Sequence, residues 1–309
     1  MRHQHFIDGL TETTEEDQQC YDLCFSSAVP FTAHWENLDD GMKVFQWDAA
    51  WEKYIKHRAD LIDHEGREKY LPWNLYRSLG LNWVDGYAKT QGSGDCASFA
   101  HFNATKASNY VNAMQTGKVP REFALSVVYA IARGNGRAKF GSGCNLNPLS
   151  KWSATKGNYW TSDFGKYDVG RYVRNYKSGS QQDANALKTQ TIPVYLPEPT
   201  FDYCYAACAA GFGVHIGSHT YPVASVPNGD GIATPSAWRN GGHAVALVGA
   251  WKGKSGKRYV IMENSHLQNY AADLLNPNKQ WGCCLGEEDI KRMATTRYGI
   301  WYVALCEMG

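Results

Sequence analysis

The sequence predicts an α+β fold, with helices through the middle of the chain and strands gathered in its C-terminal third. Helix start and stop signals recur from residue 96 to residue 211, and apolar runs bounded by turn residues follow from 212 to 305. Composition agrees with a packed core: over 309 residues, 43% are hydrophobic and 20% charged, which is ordinary globular usage and no basis for extended disorder.

The first 85 residues differ in character from the rest. After an acidic opening from Thr11 to Asp17, the residues Val44, Trp47, Trp51, Tyr54 and Ile55 recur at helical spacing within Met42 to Arg58 and predict an amphipathic helix. A polar stretch from Asp60 to Lys69 then meets Leu71-Pro72-Trp73, where the proline breaks the structure. Residues 1–85 therefore read as an N-terminal extension, partly helical and used for packing or assembly, ahead of a main domain at 86–309. Its tryptophans, Trp35, Trp47, Trp51, Trp73 and Trp83, could stack a ligand, but core or interface packing is their simpler use.

In the main domain, the small or apolar positions 96, 99, 100, 104, 107 and 111 trace one face of a helix that starts at Cys96, with Asp95 at its N-cap. Asn147 and Pro148 open a short helix that Gly157 closes, and Thr200 caps a second over Phe201 to Ala210, closed by Gly211. A third has the acidic first turn Glu287-Glu288-Asp289 ahead of Lys291-Arg292, the charge order that suits the helix dipole. Strand-like runs cover 212–216, 243–251, 258–263 and 300–305.

Lys plus Arg number 31 and Asp plus Glu 30, a formal charge of +1 without the basic excess that nucleic-acid binding leaves in composition. No apolar run approaches the roughly 18 residues of a membrane-spanning helix, and no h-region follows Met1. Nine cysteines, an odd number without the spacing of a secreted disulfide framework, favour a reducing compartment, so an intracellular origin is expected. Cys20 with Cys24, Cys204 with Cys208, and the adjacent Cys283-Cys284 read as structural thiols, since no Cys-x-x-Cys or His-x-x-x-His spacing accompanies them. His215 and His219 read as outside the chemistry.

Three residues carry that chemistry. Cys96 at a helix start faces the positive end of the dipole, where a thiol ionises more readily, although the Asp95 charge works against this. A buried structural cysteine is the alternative. His243 opens the run His243-Ala-Val-Ala-Leu-Val-Gly-Ala-Trp251, and Arg258-Tyr-Val-Ile-Met-Glu-Asn264 follows the turn at 252–257, a hairpin signature. Positions 243 and 264 centre on 253.5, within a residue of the turn's midpoint, so His243 and Asn264 are expected near-opposite, about 5 Å apart at Cβ if directly opposed. An amide there fixes one imidazole nitrogen and leaves the other to take a thiol proton.

The segment Gln91-Gly-Ser-Gly-Asp95-Cys96-Ala-Ser-Phe-Ala100 resembles the Gln-Gly…Gly-Ser-Cys-Trp-Ala-Phe segment of papain-like cysteine peptidases. Gly242-His243-Ala244-Val245 with Val248-Gly249 resembles their His-Ala-Val…Val-Gly strand, and Asn264-Ser265 their Asn-Ser-Trp. The resemblance covers about residues 86–309. It implies a two-lobed fold, a helical lobe with the nucleophile and an antiparallel β lobe with His and Asn. By it Cys96 is the nucleophile, His243 the base, Asn264 its orienter and Gln91 an oxyanion donor beside the Cys96 backbone N–H.

Departures from the family pattern shape the expectations. The Gln91-to-Cys96 interval is one residue short, which puts Gln91 in doubt at the oxyanion position. Ala97 and His266 stand where the family has tryptophans, so the His-Asn pair is expected to lack its aromatic shield and to be open to solvent. In Gly141-Ser-Gly-Cys144-Asn145, similar to the family's substrate ledge, Leu146 and Asn147 replace two glycines. The resemblance implies a peptidase or amidase acting on peptide or protein without metal or cofactor. The rival is a structural or assembly protein that keeps the fold; papain-like components encoded by tailed phages are similar in this respect, and a virion role goes with that rival.

Overall fold

The computed structural model describes residues 36–37, 43–44, 96–116, 146, 149, 153, 157–164, 179, 181–186, 191–196, 200–209, 211–266, 269–271, 282–295 and 301–306. The 85/86 boundary lies outside these residues, as does most of the helix expected over 42–58. Its two described residues are extended instead: β1 (Glu36–Asn37) pairs antiparallel with β2 (Lys43–Val44).

The α+β expectation is met. A helix, α1 (Cys96–Thr116), precedes the short α2 (Thr161–Phe164), α3 (Gln181–Ala186) and β3 (Thr191–Leu196). Then come α4 (Phe201–Ala209), β4 (Gly213–Pro227), β5 (Ala233–Lys252), β6 (Arg258–Glu263), β7 (Cys284–Leu285), α5 (Glu287–Ala294) and β8 (Trp301–Cys306). The main sheet is antiparallel, in the order β3-β8-β4-β5-β6-β7. Pro193 sits mid-strand in β3, and β3 is at the sheet edge, where a missing N–H costs no ladder bond.

Local chemistry explains the helix ends. Thr200 Oγ1 accepts the Tyr203 backbone N–H at 3.3 Å, and Phe212 N–H reaches back to Ala207 O at 2.9 Å past Gly211, whose φ is 85°. Gly157 closes its helix the same way, with φ 82° and a 3.1 Å bond to Ser153 O, although Leu146 is already helical ahead of the expected Asn147 cap. Asp289 accepts the Gly286 N–H at 2.9 Å and caps α5.

Alternation along the strands divides the core into two layers. Val214, Ile216, Val245 and Leu247 pack with α4 and α5, whereas Ala246, Val248 and Ile261 pack with Ala104 and Ala107 of α1. The sheet thus lies between α1 on one face and α4 with α5 on the other. Every residue of α1 from 96 to 109 is buried, not only the face traced by the sequence pattern. Gly213 permits the closest approach, since a Cβ there would fall on the Ala104 backbone, and its N–H donates to Ser108 Oγ at 2.9 Å.

The β4–β5 hairpin is much longer than the runs at 212–216 and 243–251. Register shifts at Ser218/Thr220, Pro222/Ala224 and Ala224/Ser225 bend it. Bending brings its tip onto the β5–β6 turn: Asn228 Nδ2 donates to Tyr259 Oη at 2.9 Å, and Ser255 Oγ to Asp230 at 2.7 Å. Farther along, Ser225 N–H donates to Asn269 O at 3.2 Å and Asn269 N–H to Val223 O at 3.3 Å, fixing the loop after β6 against β4.

Candidate active site

Cys96 is the first residue of α1 and fully buried, and α1 packs against β5, the strand that carries His243. Asp95 and Gln91 lie outside the described residues. The structure brings His243 and Asn264 together: Nε2 and Oδ1 are 2.7 Å apart.

Their register differs from the expected one. Pairs from Lys252↔Arg258 to Gly249↔Ile261 centre on 255, and a bulge shifts Leu247↔Met262 and Ala246↔Glu263 to 254.5. Continued beyond the end of β6, that register sets His243 opposite position 266, and Asn264 reaches the imidazole diagonally. The bulge near Gly249 brings the register from 255 to 254.5, the midpoint of the 252–257 turn, one unit from the 253.5 on which positions 243 and 264 centre.

Neighbouring groups determine which way the pair's hydrogen bonds run. A carbonyl only accepts, so Tyr270 Oη donates to Pro222 O at 2.7 Å. The phenol oxygen then accepts from Asn264 Nδ2 at 2.9 Å, and Asn264 Oδ1 accepts the His266 backbone N–H at 3.1 Å. The amide atom facing the ring is therefore an acceptor, and His243 Nε2 must carry the proton. This network assigns the Nε2–H tautomer and puts the lone pair of His243 on Nδ1.

Solvent is kept from the pair, contrary to the sequence expectation. His243 is 1% and Asn264 8% exposed. Two rings flank the imidazole, Tyr221 with centroids 4.3 Å apart and His266 at 4.4 Å. His266 thus occupies the family tryptophan's sequence position and still covers the base, and Tyr221, from the strand paired with β5, adds a second ring. Tyr221 and Tyr270 belong to no motif. Tyr270's only sequence signal is an isolated aromatic in a polar loop six residues after Asn264.

Two more histidines are buried, His101 on α1 and His215 on β4. His101 Nε2 lies 3.2 Å from Asn158 Oδ1, which also accepts from Ser153 Oγ at 2.8 Å, and the His101 and His215 rings are 5.0 Å apart. Burial lowers the His101 pKa to about 4 against a small opposing effect of the Asn158 bond. Burial, then the nearby His101 charge, holds His215 well below the usual histidine range. Burial keeps both neutral near pH 7.

Four further described thiols, Cys204, Cys208, Cys283 and Cys284, are buried, as Cys96 is. Burial pushes the Cys204 and Cys208 thiols up, which disfavours their thiolates. Cys20 and Cys24 lie outside the described residues. Among the described residues, no three His, Cys, Asp or Glu side chains converge as metal ligands would, and no helix is long and apolar enough to cross a membrane.

No family model matches the chain, and no curated protein matches it. Among solved structures it is similar to xylellain, a cysteine protease from Xylella fastidiosa, at 17% identity over 70% of this chain and 81% of that one, with a TM-score of 0.47. It is also similar to the proform of the ragweed pollen allergen Amb a 11, a cysteine protease, at 17% identity over 74% of this chain and 64% of that one, TM-score 0.46. The bromelain protease of Ananas comosus matches at 15% identity over 72% and 93%, TM-score 0.41.

Proposed function

We propose that the chain is a cysteine-type amide hydrolase acting on peptide or protein substrates, with Cys96 as nucleophile, His243 as base and Asn264 as its orienter. The observation that carries this reading is the buried 2.7 Å His243–Asn264 bond, whose surroundings leave the Nδ1 lone pair to receive a proton. In the reaction, the Cys96 thiol proton passes to His243 Nδ1 and the thiolate attacks the amide carbonyl. The Cys96 backbone N–H and Gln91 stabilise the resulting oxyanion. Collapse expels the amine, which takes the proton from His243; water, deprotonated by His243, then releases the acid and restores the thiol.

One observation favours the assembly rival. Leu146, where the family ledge has a glycine, is helical and 1% exposed, so that position offers a substrate no extended backbone. Under that rival, residues 1–85 would dock a protein partner, in a virion or elsewhere.

Incubation of the full chain with a peptide-amide library, followed by intact mass spectrometry, distinguishes the two. Hydrolysis reads a transient acyl adduct on Cys96 that Cys96→Ala abolishes. A folded chain with neither turnover nor adduct contradicts it and leaves the assembly reading.

A further inference from the structure

Asn264 is itself held by a group that no motif announces. Tyr270 is 5% exposed, and its hydroxyl sits between the Asn264 amide nitrogen and the Pro222 carbonyl, at 2.9 and 2.7 Å. The Asn269 backbone bonds to Val223 and Ser225 anchor the residue beside it, so the hydroxyl is fixed relative to β4. Burial, then the neighbouring Cys283, holds the phenol well above its usual range, and it stays a neutral donor.

From this arrangement we infer that Tyr270 is a positioning residue for the base: by accepting from Asn264 Nδ2 it keeps the amide oxygen on His243 Nε2 and so holds the Nδ1 lone pair in place. The alternative amide orientation shows why. A flipped Asn264 would present its NH₂ to the His266 backbone N–H and to Nε2, and the ring could answer only by moving its proton to Nδ1. That tautomer cannot take a thiol proton. While Tyr270 is present, flipping also leaves its hydroxyl facing the amide oxygen with its one proton committed to Pro222 O. Without the hydroxyl, Nδ2 has lost its partner and the barrier to the unproductive orientation falls. The relay ties the base to the bent part of β4, which no pairwise reading of Cys, His and Asn contains.

The inference rests on the catalytic reading for its consequence, but its geometry is testable alone. In full-length Cys96→Ala, where no thiol supplies a proton, long-range ¹H–¹⁵N spectra should show neutral His243 as the Nε2–H tautomer. Tyr270→Phe in that background should introduce a substantial Nδ1–H population. In the chain with Cys96 intact, Tyr270→Phe should slow Cys96 alkylation by about tenfold near neutral pH, the effect of one lost buried hydrogen bond, with the thermal transition still cooperative. An Nδ1–H tautomer in Cys96→Ala overturns the inference even if Tyr270→Phe does not fold. So does a Tyr270→Phe chain with unchanged tautomer and unchanged labelling. A wild-type Cys96 no more reactive than the other cysteines overturns the catalytic reading instead, and the tautomer measurement still decides the role of Tyr270.

Discussion

Asn264 makes three hydrogen bonds and each restricts a different degree of freedom: two anchor the amide and the third aims the imidazole. Removing it leaves nucleophile and base in place. Cys96→Ala should therefore lower hydrolysis on the order of 10⁶-fold, whereas Asn264→Ala should cost at most about 10⁴-fold, as for orienting residues in comparable triads. Steady-state rates on one peptide amide check the order; equal losses with an intact fold would mean that Asn264 does more than orient. The residue types and spacing of Cys96, His243 and Asn264 were legible because the chemistry restricts both. Tyr221, His266 and Tyr270 were not. Covering an imidazole or accepting from an amide can be done by many side chains from any direction, so no spacing marks the residue that does it.

At the scale of elements, the position of Cys96 depends on how closely α1 approaches β4, and Gly213 is the point of contact. Gly213→Ala should destabilise the fold by about 1–3 kcal/mol through overpacking and should also slow Cys96 labelling, because relief requires α1 to move. Gly229→Ala is the control, since a Cβ there meets nothing within 4 Å. Urea unfolding midpoints of the two variants decide; equal midpoints would show that the Ala104 approach is not tight. Helices with a polar cap and a closing glycine, such as α4, were readable from sequence. Strand extents were less so. The hairpin between 217 and 242 contains Gly217, Pro222, Pro227, Pro235, Gly241 and Gly242, which read as turn punctuation but in the sheet accompany bulges and bends. Likewise, tryptophans at helical spacing over 42–58 predicted a helix where Lys43–Val44 are paired as a strand, a pairing that local periodicity does not encode.

For the molecule as a whole, the neutral His101 and His215 between α1 and the sheet make stability depend on pH. Each has a folded pKa below its ordinary 6.5, about 4 for His101, so the unfolded chain binds more protons in that interval. The His101 contribution is complete above pH 6.5 and is lost as pH falls toward 4, at up to about 1.4 kcal/mol per pH unit, and His215 adds a loss in the same direction. Denaturation in urea between pH 7 and 5 should show stability falling with pH, and His215→Phe should reduce that slope; a flat profile would mean that neither histidine is held neutral in the native state. The central claim is that the fold singles out one thiol of nine for reaction. Rate-resolved alkylation of the native chain near neutral pH, with mass-spectrometric assignment of every cysteine, tests it most directly. Cys96 should react faster than all eight others, and His243→Ala should abolish that advantage; a Cys96 no faster than Cys20 or Cys306, or one indifferent to His243, would contradict the account.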